Sequence, residues 1–221
     1  MYQTPIFTRY LYEVNQVKQS LELSLLDKNR EESLFWAFEL YYSGFQEEIW
    51  QFIMRLYETH YQKYYMQFKT RMDKFYTEWK NTGDACLLGT VVGTIAVWEL
   101  KHIDEKRPFI ILYRDTRHAT RPVTAPVRHY LKQVSQFAIR IYDTDISENI
   151  RDAYLGKDWL YYCSKTPIWE ERIRAFGGIV DDEKKCVGFA DDDAFESFYD
   201  NWGIEPDEQP TEIHAMHGVF I

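Results

Sequence analysis

Three cysteines, Cys86, Cys163 and Cys186, are all that 221 residues contain, and no two of them stand in CxxC spacing. An odd, widely spaced set argues against a disulfide framework or a zinc ribbon and fits a reducing compartment. Long apolar runs are also missing. The most apolar window, Ala85 to Trp98, is interrupted by Thr and Gly and falls short of the roughly 20 residues that a bilayer span needs. A buried core helix is expected there instead of a membrane span. The opening residues, MYQTPIFTRYLYEV, show no basic region followed by an apolar run, so no secretory signal is expected.

Catalytic signatures are equally sparse. Gly83 to Thr90 has the glycines of a phosphate-binding loop without its lysine, and neither GxSxG nor HExxH occurs. His214 and His217 form an HxxH with no third ligand nearby, so no metal site and no cofactor are expected. Asp143, Asp145 and Ser147 form a DxDxS that resembles the nucleophile loop of haloacid dehalogenase phosphatases. Ser164, Lys165, Asp181 and Asp182 could complete such a site with magnesium. The intervals are too short for the crossover helices of a parallel sheet, and a helix-capping turn is the better reading of Asp143 to Ser147.

Large aromatic groups are what the chain does have: 17 Tyr, 14 Phe and 7 Trp. They suit a rich core, and Tyr and Trp are also favoured contact residues at interfaces. Asn29 to Tyr64 reads as two helices around Gly44. Asn29 and Glu32 form a capping box, and Leu34, Phe38, Tyr41 and Tyr42 make the first apolar stripe. Ile49, Ile53, Leu56, Tyr57, Tyr61 and Tyr64 make the second. Glu31, Glu32, Glu39, Glu47 and Glu48 are then expected on the wetted face. Trp36 and Trp50 lie off both stripes, which marks them as partner contacts or as residues held by a neighbouring element.

Around this hairpin, Thr4-Pro5 suits the start of a helix whose face is Val14, Val17, Leu21 and Leu25. Phe68 to Trp79 continues helically to a stop at Gly83, Asp84 caps the apolar segment, and Gly89 and Gly93 allow another backbone to approach. Beyond residue 102 the pattern shortens. Pro108 to Tyr113 reads as a strand, Val127 to Ile141 as a helix face, and Trp159 to Cys163 as a strand. Thr166-Pro167 opens a helix ending at Gly177-Gly178, Ile179 to Phe189 a hairpin with a polar tip, and Asp191 to Gly203 a helix. No fixed-period repeat is present. The expected fold is α+β and predominantly α-helical: a helical-hairpin layer over residues 1–102, a smaller mixed α/β region with short strands over 103–210, and a tail over 211–221.

Charge is segregated within a formal net of −9. Gly178 to Glu212 holds twelve acids against Lys184 and Lys185, whereas Lys106 to Lys132 holds seven basic residues against Asp115. Spaced Arg114, Arg117, Arg121, Arg128 and Lys132 suit phosphate or nucleic-acid contact. They also suit the acidic third of the same chain or of a second copy. The latter is favoured, because a net-acidic protein lacks the field that draws most nucleic-acid binders to their target.

Two stretches, Lys28 to Gln46 (KNREESLFWAFELYYSGFQ) and Phe195 to Pro210 (FESFYDNWGIEPDEQP), resemble segments of uncharacterised proteins of large nucleocytoplasmic DNA viruses, the giant viruses among them. The resemblance implies a setting, the host cytoplasm, a viral factory or the virion, and carries no site residue onto this chain. The expected function is a non-enzymatic protein-interaction or assembly role. A nucleic-acid-associated accessory factor is the alternative and a phosphotransfer enzyme at Asp143 the remote one. Other proteins are the expected partners, and a homo-oligomer is compatible with the segregated charge.

Overall fold

The computed structural model describes residues 5–100, 109–114, 137–142 and 159–202. The fold is α+β and predominantly α-helical, with eight α-helices and four short strands among the described residues. These fall into two units. A helical unit comprises 15–100, 109–110 and 140–142; a mixed unit comprises 5–14, 111–114, 137–139 and 159–202. The expected contiguous division at residue 102 is therefore replaced by a discontinuous one.

The helical unit contains α1 (Val14–Leu26), α2 (Arg30–Tyr42), α3 (Gln46–Leu56), a π-turn (Tyr57–Tyr61), α4 (Phe68–Thr82) and α5 (Ala85–Ile95). Its boundaries follow local chemistry. The Asn29 side chain accepts from the Glu32 backbone N–H at 3.2 Å, and Asp84 accepts from that of Cys86 at 2.8 Å. Gly83 closes α4 in the left-handed region, φ 70°, with its N–H bonded to the Trp79 carbonyl. Helix α1 begins at Val14 and not at Thr4-Pro5.

Helix α2 packs against both α3 and α5. Leu34 and Phe38 approach Gly89 of α5, while Trp36, Ala37, Leu40 and Tyr41 are buried. A helix covered on two sides has no single apolar stripe. For that reason Glu32 and Glu39, expected on the wetted face, are buried, and Tyr42, expected on the stripe, is 47% exposed. The two glycines of α5 serve this contact unequally. A Cβ on Gly89 would lie 2.9 Å from the Phe38 ring tip, whereas the nearest group to one on Gly93 is the flexible Arg30 guanidinium, at 3.1 Å. Gly93→Ala is expected to be neutral or to stabilise by up to about 1 kcal/mol through helix propensity. Gly89→Ala is expected to lose that gain and to cost about 1 kcal/mol through ring displacement. Urea unfolding of both variants measures the contrast.

Strands β1 (Phe109–Arg114) and β2 (Ala138–Tyr142) form a two-stranded sheet. The helix expected through Ile141 is thus replaced, at its end, by a strand whose residues 139 to 142 are all buried. β2 delivers Arg140 into the helical unit. Its Nη1 meets Asp27 Oδ2 at 2.6 Å, its Nε donates to Glu32 Oε1 at 3.1 Å, and Nη2 lies 2.9 Å from Glu32 Oε2. The Ser20 hydroxyl donates to the Arg140 carbonyl at 3.0 Å and accepts from its N–H at 2.9 Å. Glu32 also accepts from the Trp36 indole and the Asn29 amide. Burial is the main influence on Glu32 and raises its pKa, opposed by Arg140 and the indole.

The mixed unit contains α6 (Trp159–Cys163), α7 (Pro167–Ala175), β3 (Ile179–Asp181), β4 (Cys186–Gly188) and α8 (Asp192–Trp202). Strands β3 and β4 form an antiparallel hairpin with Val180 opposite Val187. Trp159 to Cys163, expected as a strand, is helical. All five residues are buried, and a short run covered on every side carries no periodicity to tell the two apart. The core joins Trp159, Leu160, Trp169, Ile173 and Phe198 to Phe7 and Leu11 from the start of the chain. Thr166 Oγ1 donates to the Phe7 carbonyl, and Trp169 Nε1 donates to that of Thr8 at 3.3 Å.

Candidate interaction surface

Trp36 and Trp50, expected as partner contacts, are fully buried within the protein. The reason differs for each. Trp36 lies on the inner side of α2 and donates to Glu32 at 3.2 Å. Trp50 is covered by α4, its ring 5.7 Å from both Trp79 and Tyr76. Glu47 accepts from Tyr76 and Lys80 across the same helix pair, and these bonds hold its pKa below the usual carboxylate range. A partner can reach neither tryptophan without opening the unit.

One group of surface aromatics lies beside the π-turn. Its i→i+5 bond, Gln62 N–H to the Tyr57 carbonyl at 2.8 Å, takes one residue more per turn than an α-helix. That extra residue rotates the following side chains off the α3 stripe, a deviation often found at functional positions. Tyr57 and Tyr61 face inward and Tyr64 is left 39% exposed. The Tyr57 hydroxyl donates to the Tyr65 carbonyl at 2.7 Å and fixes the chain as it leaves the turn. Tyr61 is buried near Glu22, which pushes its phenol pKa well above the ordinary value. The ring is a neutral packing group, ill suited to acid–base work.

Tyr65 stacks on Trp98, with centroids 4.1 Å apart and planes 10° from parallel. Its hydroxyl donates to the Glu99 carbonyl at 2.9 Å, so the two segments are tied by ring and by hydrogen bond. Phe68, Tyr61 and Tyr57 close around Trp98 from below at 4.8, 6.0 and 6.4 Å. The stack is flanked by Met66, 73% exposed, and Val97, 57% exposed. Tyr64, Met66 and Val97, exposed and next in sequence to the half-buried Tyr65–Trp98 pair, have the composition that protein interfaces favour. Nothing in sequence periodicity marks a π-turn.

Among the basic residues expected at a phosphate site, Arg114 ends β1, and Arg117, Arg121, Arg128 and Lys132 lie outside the described residues. Asp143 to Ser147, His214 and His217 also lie outside them. Of the remaining phosphatase-like positions, Ser164 is buried and donates to the Tyr161 carbonyl at 2.6 Å. Lys165 pairs with Asp182, which also accepts from the Tyr161 hydroxyl; these bonds lower the Asp182 pKa. Asp181 accepts from the backbone N–H groups of Glu183 and Lys184 in the hairpin turn. The groups Ser164, Asp181 and Asp182 are thus engaged in holding α6 and the hairpin.

Among the described residues, no helix is long and apolar enough to cross a membrane, and no group of three or more His, Cys, Asp or Glu is placed to hold a metal ion. The three cysteines are free thiols. No protein-family model, curated protein or solved structure matches the chain.

Proposed function

We propose that this protein is a non-enzymatic interaction or assembly protein that holds another protein through the platform formed by Tyr64, Tyr65, Met66, Val97 and Trp98. The exposed Met66 and Val97 beside the Tyr65–Trp98 stack carry this reading. Covering such side chains contributes about 1.5–3 kcal/mol each, and the stacked rings are already ordered, which reduces the entropic cost of binding. The resemblance of Lys28 to Gln46 and Phe195 to Pro210 to giant-virus proteins suggests the setting, a virion or viral factory within host cytoplasm.

The test is affinity capture from expressing cells, with and without nuclease, comparing the wild type with Met66→Asp/Val97→Asp. Both residues are exposed, so the double variant is expected to melt within about 0.5 kcal/mol of the wild type. It should lose its captured proteins by about tenfold or more. Equal capture by both proteins would refute the platform as a binding site, and loss of capture on nuclease treatment would instead favour the nucleic-acid reading.

A further inference from the structure

The two edges of the β1–β2 sheet differ. Ser20 Oγ accepts from the Arg140 N–H and donates to the Arg140 carbonyl, and Gln19 Oε1 accepts from the Tyr142 N–H at 2.9 Å. Alternate residues of a strand turn their backbone groups to the same side, so α1 occupies the edge of β2 that faces away from β1. A third strand there would have to displace these bonds. β1 has β2 as its only strand neighbour among the described residues, which leaves the far edge of β1 as the side on which the sheet can grow.

Edge strands are commonly blunted by charge, proline or a bulge. Phe109 to Tyr113 reads FIILY, without charge, Pro or Gly, and all of it but Leu112 is β-branched or aromatic. Phe109 and Ile111 stand two apart and so share one face of the strand; they are 39% and 57% exposed. The charge beside that face is the Arg140 guanidinium, 5.2 Å from the Phe109 ring centre, and Glu32 and Asp27 neutralise it. It therefore does not oppose an apolar neighbour.

We propose that β1 pairs antiparallel with β1 of a second copy about a twofold axis, giving a four-stranded sheet in the order β2, β1, β1, β2. A second copy is the occupant because β1 is itself the uncharged, β-forming segment that such an edge selects. The register that sets Ile111 opposite Ile111 pairs Phe109 to Tyr113 along its whole length and keeps the exposed face of both copies on one side. Since α1 occupies the outer edge of β2, each copy offers one edge, and assembly closes at two instead of running on as a filament. So short a pairing is small beside a standard interface, and the dimer is weak, with a dissociation constant of about 10–100 µM. The net charge of −9 on each copy opposes contact, and salt relieves that repulsion. A dimer held instead by the acidic third against the basic window would weaken with salt.

The test is sedimentation equilibrium of the full chain over about 1–500 µM, at low and high salt. Monomer and dimer alone are expected, with the dimer unchanged or tightened by salt. Hydrogen exchange within 109–114 should slow as concentration rises. Ile111→Lys, which sets a charge at the centre of the edge, is expected to weaken the dimer about tenfold or more. Met66→Asp/Val97→Asp should leave it intact, which separates this edge from the platform. Near-UV circular dichroism checks each fold; if Ile111→Lys disturbs the strand, Ile111→Thr keeps its β-propensity, removes apolar area and should weaken the dimer about threefold. A monomer at every concentration, with the β1 amides either free or equally protected throughout, would overturn the inference. So would a species beyond the dimer, a dimer that salt weakens, or one indifferent to the Ile111 variants.

Discussion

Arg140→Ala is expected to lower the stability of the helical unit by about 3–5 kcal/mol. The guanidinium stands between Glu32 and Asp27 with little exposure, and its removal leaves the Glu32 carboxylate buried beside the Trp36 indole, the Asn29 amide and the like-charged Asp27. The loss should depend on pH in a defined direction. Burial already raises the Glu32 pKa, and the variant removes the largest influence that lowers it. A carboxyl whose folded pKa exceeds its unfolded one contributes stability that is present at low pH and lost as pH rises through the folded value. The deficit of Arg140→Ala should therefore shrink on acidification and be greatest at neutral pH. Adding Glu32→Gln to Arg140→Met should recover most of the stability, since no buried charge is then left unpaired at that position. Urea unfolding at pH 4.5 and 7 measures all three, and a neutral-pH loss under about 1 kcal/mol would show that the site is open to water.

Trp50→Ala is expected to cost about 3–5 kcal/mol. The ring fills the space between α3 and α4 against Trp79 and Tyr76, and both partners are restrained from collapsing into the gap, Trp79 by its hydrogen bond to the Tyr41 hydroxyl at 3.0 Å and Tyr76 by its bond to Glu47. Trp50→Phe should cost far less. The Trp50 indole N–H is buried with no hydrogen-bond partner among the described residues, so the smaller ring loses contact area but also removes a donor they leave unsatisfied. A Phe variant as unstable as the Ala variant would mean that the indole nitrogen has a partner after all. Binding through the Trp98 platform should persist in Trp50→Phe, whereas a direct contact through Trp50 would lose it.

Elements with local punctuation were legible in the sequence. Asn29, Asp84, Gly83 and the hairpin after Gly178 all act through neighbouring residues, and each stands where the sequence puts it. What depends on residues far apart in sequence was not legible. Glu32 reads as a wetted acid until Arg140, more than a hundred positions away, is brought to it. Trp36 and Trp50 read as off-stripe because α2 and α3 are covered from more than one side, which a single-stripe reading cannot represent. The acidic run after Gly188 was visible in composition, but the exposure of Ile179 needed the register that sets it opposite Gly188. The Tyr65–Trp98 platform depends on a turn with no sequence signature and on a ring more than thirty residues away.

The mixed unit takes its core from both the beginning and the end of the described chain, and this sets an order on its assembly. Phe7 meets Thr166 across 159 positions and Thr8 meets Trp169 across 161. A ribosome must therefore release most of the protein before the first residues find their place. The segment around Phe7 and Leu11 spends that interval without its apolar neighbours, while α2 to α5 can already associate through contacts close in sequence. Ring closure over so long a loop is slow relative to local helix pairing. The interval also leaves a newly made chain with an uncovered aromatic end that invites chaperones or a neighbouring nascent copy.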